Sequence, residues 1–138
     1  MNSSDEIIKK LNLIPHPEGG HFKESYRDNN RVSLIYYLLR KGEKSHWHRL
    51  TKNEILHFYD GDPLNVSMSI DKITIREIIL GKELNKGYLL HFTVKAGTWF
   101  GMKSQGEYSL IGCTVTPAFD YKDFELAPKD WYPGKINN

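Results

Sequence analysis

The chain has 138 residues, of which 39% are hydrophobic, and its 19 basic and 17 acidic residues give a formal charge of +2. This length and composition favour one folded domain and exclude a disordered chain. The near balance of charge gives no reason to expect nucleic acid as a ligand, and no apolar run approaches the ~20 residues of a membrane helix. The single cysteine, Cys113, excludes an internal disulfide. Because the first segment is also too polar for a signal peptide, we expect a cytoplasmic protein.

The predicted elements are one short helix followed by many short strands. Ser3 and Glu6 form a capping box for a helix over about residues 3–12, whose apolar face carries Ile7, Ile8 and Leu11. Runs of β-branched and aromatic residues, separated by glycine and aspartate turns, predict strands at 32–39, 54–59, 64–70, 73–80, 88–94 and 108–115. No helical crossovers separate these runs, so we expect an all-β antiparallel sandwich or small barrel over about 20–126, with a C-terminal tail at 127–138.

The most informative segment carries two histidines and a glutamate. His46 and His48 are two residues apart, so both imidazoles would lie on one face of a regular strand, and Glu54 opens the next strand. Two imidazoles and a carboxylate suit a divalent transition metal such as Fe, Mn, Ni or Zn, with coordination positions left for a substrate. The same residues also serve as the polar lining of a metal-free pocket, so both interpretations stay open.

This segment resembles the first motif of the cupin superfamily, in which a glycine, His-x-His, a glutamate and a second glycine take the places of Gly42, His46, His48, Glu54 and Gly61. The wider pattern is similar to the small stand-alone "cupin type 5" branch with an RmlC-like jelly roll. The matching stretches are HPEGGHFKESYR (16–27), SHWHRLTKNEILHFYDGDPL (45–64), KAGTWF (95–100) and SLIGCTVTPAFDYKDFEL (109–126). The resemblance implies a double-stranded β-helix, a homodimer and a pocket for one small polar metabolite.

The sequence departs from the family's metal-binding pattern. The connection from His48 to Glu54 is longer than in the general motif, and Phe100 stands where the second motif would supply a further histidine. At most three ligands therefore carry over from the resemblance, namely His46, His48 and Glu54. A three-ligand site is chemically workable, so a bound metal and a metal-free pocket are both compatible with the sequence.

Several other side chains are candidates for the pocket. In the alternating segment 21–27, Glu24 and Tyr26 share a face, where Glu24 would act as a general acid or base and Tyr26 as a proton donor; the alternative for Glu24 is a surface ion pair. The aromatic residues expected to line the pocket are Tyr36, Trp99 and Phe100.

Other residues are interpreted as structural. Trp47 lies between the two histidines and is expected to face away from them. The sequence Glu18-Gly19-Gly20 is typical of a turn, and Cys113 lies in an apolar run typical of a buried structural thiol.

Three functions fit these features. The first is an isomerase or epimerase acting on a sugar or nucleotide-sugar, with Glu24, Tyr26, His46 and His48 moving protons. The second is a metal-free protein that binds a small molecule without catalysis, which the phenylalanine at position 100 favours. The third is a metal-dependent oxygenase that uses the His-His-Glu triad. None of the three involves nucleic acid or a membrane.

Overall fold

The computed structural model describes residues 3–136, which form one α-helix, two short 3-10 helices and eleven strands. The helix α1 spans Ser4–Leu11. The strands are β1 (Ile14–Pro15), β2 (His21–Asp28), β3 (Val32–Arg40), β4 (Lys44–Leu50), β5 (Asn53–Gly61), β6 (Leu64–Ser69), β7 (Arg76–Leu80), β8 (His91–Val94), β9 (Trp99–Ser104), β10 (Tyr108–Thr116) and β11 (Phe124–Leu126). The 3-10 helices span Leu84–Lys86 and Tyr121–Asp123.

The strands form two antiparallel sheets that pack face to face. One sheet has the order β1-β2-β3-β10-β5-β8, and the other has the order β11-β4-β9-β6-β7. The predicted all-β jelly roll with a short N-terminal helix is therefore confirmed. The two sheets keep separate edge strands, so the structure is a sandwich and not the closed barrel that was one of the two expectations.

The helix α1 begins and ends as the sequence predicts. The Ser3 hydroxyl accepts a hydrogen bond of 3.2 Å from the Glu6 N–H, and Asn12 adopts a left-handed conformation with a φ of 56°. Ile7 of the helix packs with Leu38 and Leu110 on the outer face of the six-stranded sheet. The helix thus covers a sheet face and contributes nothing to the interior between the sheets.

The main core lies between the two sheets and is built from alternate residues of their strands. Its fully buried members include Leu39, Leu56, Leu64, Val66, Leu80, Phe100 and Ile111. Apolar burial of this kind stabilises the sandwich by roughly 1.5–3 kcal/mol for each large side chain. Charged residues replace this packing at one end of the interior, where the cavity described below lies.

The strand β7 begins later than the sequence predicts. Asp71 accepts hydrogen bonds from the backbone N–H groups of Ile73 and Thr74, at 2.8 Å and 2.7 Å. These bonds hold residues 71–74 in a turn, so pairing with β6 starts only at Arg76.

Two β-bulges change which side chains face the interior. In β2 the register shifts between Glu24 and Tyr26, and in β4 it shifts between Ser45 and His48. A bulge adds one residue to a strand, so the side chains beyond it lie on the opposite face from the one that strict alternation predicts.

The segment after β11 packs across the outer face of the five-stranded sheet. The Ala127 N–H donates to the Trp47 carbonyl at 3.0 Å, and the Gly134 N–H donates to the Lys72 carbonyl at 2.8 Å. This part of the expected C-terminal tail is therefore attached to the sheet, while residues 137 and 138 lie outside the described residues. No helix within residues 3–136 is long and apolar enough to cross a membrane.

Candidate active site

A cavity of about 430 Å³ lies between the two sheets at one end of the sandwich. Its apolar walls are Phe22, Ile35, Leu50, Val115, Phe119 and Phe124. Its polar lining is His16, Glu18, His48, Glu54 and Cys113, with Glu24, Arg27, Ser33, Asp120 and Tyr121 also on its surface. An apolar cavity with a few convergent polar groups is the usual form of a small-molecule site.

A buried pair of His48 and Glu18 is the centre of the polar lining. The His48 Nε2 atom lies 2.9 Å from the Glu18 Oε2 atom, and the two side chains are 3% and 7% exposed. The other ring nitrogen, Nδ1, lies 2.7 Å from the His46 carbonyl oxygen, so Nδ1 carries a proton. Both nitrogens of the ring are therefore held by the protein, which fixes its orientation.

The charges of this pair stabilise one another. Burial alone lowers the pKa of His48, but the Glu18 charge and hydrogen bond outweigh it and raise the pKa above its usual range. Burial alone raises the pKa of Glu18, but the nearby His48 and His16 imidazoles bring it below its ordinary value. We therefore describe the pair as an imidazolium and a carboxylate at neutral pH.

Glu54 differs from Glu18 in that no positively charged side chain is hydrogen-bonded to it, so its pKa is raised and not lowered. Burial raises its pKa from 4.5 to about 7; the His48 charge lowers it and the Glu18 charge raises it further. Its carboxyl group is hydrogen-bonded to the thiol of Cys113, whose pKa burial raises well above the usual range. Cys113 is thus a buried thiol, as predicted, but it also lines the cavity. A carboxyl with a pKa near 7 is suited to both giving and taking a proton.

His16 contributes a neutral imidazole to the lining. Its Nδ1 atom accepts a hydrogen bond of 3.1 Å from the Glu18 backbone N–H, so the ring proton lies on Nε2. Burial lowers the pKa of His16, and the His48 charge lowers it further against the opposing effect of Glu18. The ring is held edge-on against Phe22, with centroids 4.5 Å apart.

The turn before β2 brings Glu18 into the interior. Gly19 and Gly20 have φ values of 111° and 77°, which favour glycine, and a Cβ on Gly19 would lie 2.1 Å from the Lys44 carbonyl oxygen. The Tyr37 hydroxyl donates a hydrogen bond to the Gly19 carbonyl and so holds the turn against β3. Glu18 was predicted only as part of a turn, and its position in the cavity was not predicted. The sequence feature that could have indicated this position is a carboxylate, Glu18, placed between His16 and the two glycines at 19 and 20.

His46 does not face the cavity, so the prediction that it shares a face with His48 is wrong. The bulge in β4 places His46 on the outer side of the sheet, where its Nε2 atom donates to the Pro128 carbonyl at 2.9 Å. Trp47 also lies on the outer side, where its ring meets Trp131. His48 stays inside because it pairs with Phe100 beyond the bulge.

Tyr26 and Tyr36 also lie outside the cavity, contrary to the prediction. The bulge in β2 pairs Tyr26 with Leu34 and leaves its side chain 57% exposed. Tyr36 packs against Tyr59 at 6.1 Å on the outer face of the six-stranded sheet. The neighbouring Tyr37 is the one that points inward and is buried.

The two predicted aromatic residues of β9 take different positions. Trp99 packs on Trp131 at 5.1 Å, with the Arg49 guanidinium 4.6 Å from its ring centroid, and it is not part of the cavity lining. Phe100 is 1% exposed and belongs to the core, with its ring centroid 4.1 Å from that of His48. Phe100 therefore forms the wall behind His48 and keeps water away from the His48–Glu18 pair.

Glu24 lies on the cavity surface in an ion pair with Arg27. The Arg27 Nε and Nη2 atoms donate to the two carboxylate oxygens at 3.0 Å and 3.1 Å, and Nη2 also donates to the Phe119 carbonyl at 2.7 Å. Both interpretations that the sequence left open for Glu24 therefore remain: it is paired with an arginine, and it borders the cavity. Its catalytic role stays a prediction.

The predicted triad is not arranged as a metal site. His46 lies on the outer side of the sheet, and the Nε2 atom of His48, which would bind a metal, is hydrogen-bonded to Glu18. Within residues 3–136, no group of three or more His, Cys, Asp or Glu side chains is placed to hold a metal ion. The residues present therefore do not fit the expected three-ligand centre.

The fold and the cavity between its sheets define a member of the cupin superfamily. More specifically, the chain belongs to the family described as "Cupin superfamily (DUF985)", whose Cupin_5 model matches residues 5–127. None of the curated proteins compared with the chain matches it.

Solved structures support the same assignment. A hypothetical protein from Leishmania major is 34% identical, with a TM-score of 0.84, over 91% of this chain and 88% of that chain. A protein from Shewanella oneidensis is 40% identical, with a TM-score of 0.86, over 92% of this chain and 85% of that chain. A mutant oxalate decarboxylase from Bacillus subtilis is 11% identical, with a TM-score of 0.65, over 81% of this chain and 29% of that chain, which is a likeness of fold alone.

Proposed function

We propose that the cavity is the active site of an isomerase or epimerase that moves a proton on a small, uncharged, polar metabolite such as a sugar. The observation that carries this proposal is Glu54, a buried carboxyl with a pKa raised to about 7 beside the fixed His48–Glu18 ion pair. A carboxyl in a cavity whose pKa is perturbed by burial and by a specific charge partner is a candidate acid–base group.

The proposed reaction uses Glu54 as base and then as acid. The Glu54 carboxylate takes a proton from the carbon next to a substrate carbonyl, and the electron pair of that C–H bond moves to the carbonyl oxygen. The protonated Glu54 then returns the proton to the neighbouring carbon while the proton of the hydroxyl on that carbon passes to the former carbonyl oxygen, which completes an isomerisation. Return to the original carbon gives an epimer only when the enediol has first turned its opposite face to Glu54. The neutral His16 donates its Nε2–H to the oxygen on which charge develops, since its Nδ1 atom is occupied by the Glu18 N–H.

His48 and Glu18 act by position and charge in this scheme. Both ring nitrogens of His48 are bonded to protein groups, so the ring is not free to exchange protons with a ligand. The positive charge of His48 opposes the effect of burial on the pKa of Glu54. It thereby keeps part of the Glu54 population ionised, and therefore basic, at neutral pH.

The charges of the lining indicate the class of substrate. Among the described residues that line the cavity, none is a lysine, and Arg27 is already bonded to Glu24 and to the Phe119 carbonyl. The His48–Glu18 and Arg27–Glu24 pairs cancel their own charges, so Asp120 and the ionised fraction of Glu54 leave the lining negative, which disfavours a phosphate group. The cavity therefore favours an uncharged sugar over the nucleotide-sugar that the sequence also suggested. An assembly of two chains and a cytoplasmic location remain predictions.

A second candidate is a binding protein that does no chemistry. The occupied nitrogens of His48 favour it, because that histidine offers neither a free proton acceptor nor a free metal ligand. The two candidates differ in one measurable property, namely whether a bound ligand exchanges a carbon-bound hydrogen with the solvent.

The test is deuterium incorporation from D₂O into a panel of neutral aldoses and ketoses, followed by NMR. The wild-type protein is expected to exchange the hydrogen next to the carbonyl of at least one sugar. Glu54→Gln is expected to lose this exchange, and the outward-facing Tyr26→Phe control to keep it. Ligand-induced thermal stabilisation without exchange in the wild-type protein would identify the binding protein instead.

A further inference from the structure

A second cavity, of about 360 Å³, lies on the outer face of the five-stranded sheet and is separated from the first by β4. It lies beneath the C-terminal segment, and we call it the outer groove. Its aromatic residues are Trp47, Trp131 and Tyr132, and its charged residues are Lys44, Lys103, Lys129 and Asp130. None of these side chains takes part in the proposed reaction.

The lysines of the outer groove lack counter-charges. Lys44 on β4 lies directly opposite Lys103 on β9, and like charges at such cross-strand positions destabilise a sheet. Within residues 3–136, neither of these lysines nor Lys129 forms an ion pair, and Asp130 is the one acidic residue of the groove lining. The groove therefore has an excess of positive charge, which a bound anion would neutralise.

The aromatic side chains give the groove surfaces for a planar ring. Trp47 and Trp131 meet nearly perpendicularly, with an interplanar angle of 87° and centroids 6.2 Å apart, and both are only partly buried. Tyr132 is exposed beside them. Aromatic faces of this kind stack on nucleobases, an interaction worth about 1–3 kcal/mol per base.

His46 adds a hydrogen-bond acceptor to the same groove. Its Nε2–H donates to the Pro128 carbonyl, so in the neutral ring the Nδ1 atom is left to accept a hydrogen bond. An amino group of a base or a hydroxyl of a ribose is a suitable donor.

From this combination we propose that the outer groove is a binding site for a nucleoside phosphate, with the ring held by the tryptophans and the phosphate held by Lys44, Lys103 and Lys129. Lysine ammonium groups bind phosphate as point charges, and the groove is within the usual size range of small-molecule sites. The site is independent of the inner cavity, whose negative lining disfavours the same ligand.

The test is a titration of tryptophan fluorescence with ADP, with inorganic phosphate as a second probe. ADP is expected to quench the fluorescence with saturation, and phosphate to compete with it while causing no quenching of its own. Lys103→Gln is expected to weaken ADP binding about tenfold, because one charge-assisted contact is lost. Lys23→Gln, which removes an exposed lysine of β2 on the other sheet, is the matched control and is expected to leave ADP binding unchanged.

Thermal unfolding separates loss of the site from loss of the fold. Lys103→Gln removes one of two like charges at opposite positions of β4 and β9, so without ligand it is expected to be at least as stable as the wild-type protein, while its stabilisation by a given concentration of ADP is smaller. Absence of saturable quenching up to about 5 mM ADP would overturn the proposal. It would equally be overturned if phosphate bound as tightly as ADP, since the aromatic rings would then contribute nothing.

Discussion

Replacing Glu54 by glutamine is expected to stabilise the protein at neutral and alkaline pH while abolishing the proposed isomerase activity. The folded state raises the pKa of Glu54 from 4.5 to about 7, so the folded protein holds this proton more tightly than the unfolded chain does. The stability gained from the protonated carboxyl is present below about pH 4.5 and is lost as the pH rises through about 7. Above that pH the ionised carboxylate stays buried at a cost that the neutral amide of glutamine avoids.

The magnitude follows from the two pKa values. Each tenfold change in proton affinity is worth about 1.4 kcal/mol, so the rise from 4.5 to about 7 corresponds to about 3 kcal/mol. Glu54→Gln should therefore be close to the wild type in stability at about pH 5 and more stable by up to ~3 kcal/mol at about pH 9. For a chain of this length, the same difference raises Tm by roughly 10 °C.

The assay is urea denaturation of both proteins at several values across this pH range. The exposed Glu24 offers a matched control, because its carboxylate is solvated and paired with Arg27. Glu24→Gln should differ from the wild type by less than about 1 kcal/mol throughout. A stability difference for Glu54→Gln that stayed constant with pH, or that favoured the wild type at about pH 9, would refute the reasoning.

Three further predictions concern the pair, the histidines and the metal. Glu18→Ala leaves His48 buried without its counter-ion and should lower the free energy of unfolding by about 3–5 kcal/mol. Glu18→Gln should lower it less, because the glutamine amide can donate a hydrogen bond to the His48 Nε2 atom. Equal losses for the two variants in urea denaturation would contradict this prediction. His46→Ala should leave kcat/KM of any identified substrate within about twofold, whereas His48→Ala should lower it by a factor of at least about ten; equal effects would place His46 in the cavity. Incubation with Fe, Mn, Ni or Zn should not raise Tm, and a saturable rise that Glu54→Gln removed would restore the metal hypothesis.

The strands of the core could be predicted from the sequence because they contain few interruptions. The β-branched and aromatic runs of β3 and β10 match the observed bounds within one residue at each end. The same kind of run predicted the strand that begins with Glu54, whereas His48 was selected by its spacing from His46, and the structure places both Glu54 and His48 on one cavity. Strands that bury apolar side chains at regular positions therefore have a residue pattern from which they can be predicted.

Two of the wrongly predicted site residues, His46 and Tyr26, lie next to β-bulges, whereas Tyr36 and Trp99 lie in strands for which the sequence did not indicate the inward face. A one-residue register shift leaves the residue types of a strand unchanged, so no pattern in the residues indicated that His46 and Tyr26 would face outward. Histidine and tyrosine also occur both in cavities and on outer sheet faces, so their residue types do not indicate a direction.

The turn residues of the site were missed for a different reason. His16 and Glu18 lie outside regular strands, where periodicity carries no information about direction. Their inward positions depend on contacts with distant parts of the chain, such as the bond between Glu18 and His48 and the packing of His16 on Phe22.

The bulge in β4 also constrains how relatives of this protein can change. The two residues between Ser45 and His48 line the outer groove and not the inner cavity, so a change of residue type at these positions leaves the lining of the inner cavity unchanged. Their number cannot vary in the same way, since one inserted or deleted residue would turn His48 away from Glu18. We therefore expect relatives that retain the buried His48–Glu18 pair to differ in residue type between positions 45 and 48. The number of residues between these two positions is expected to change more slowly than their identity.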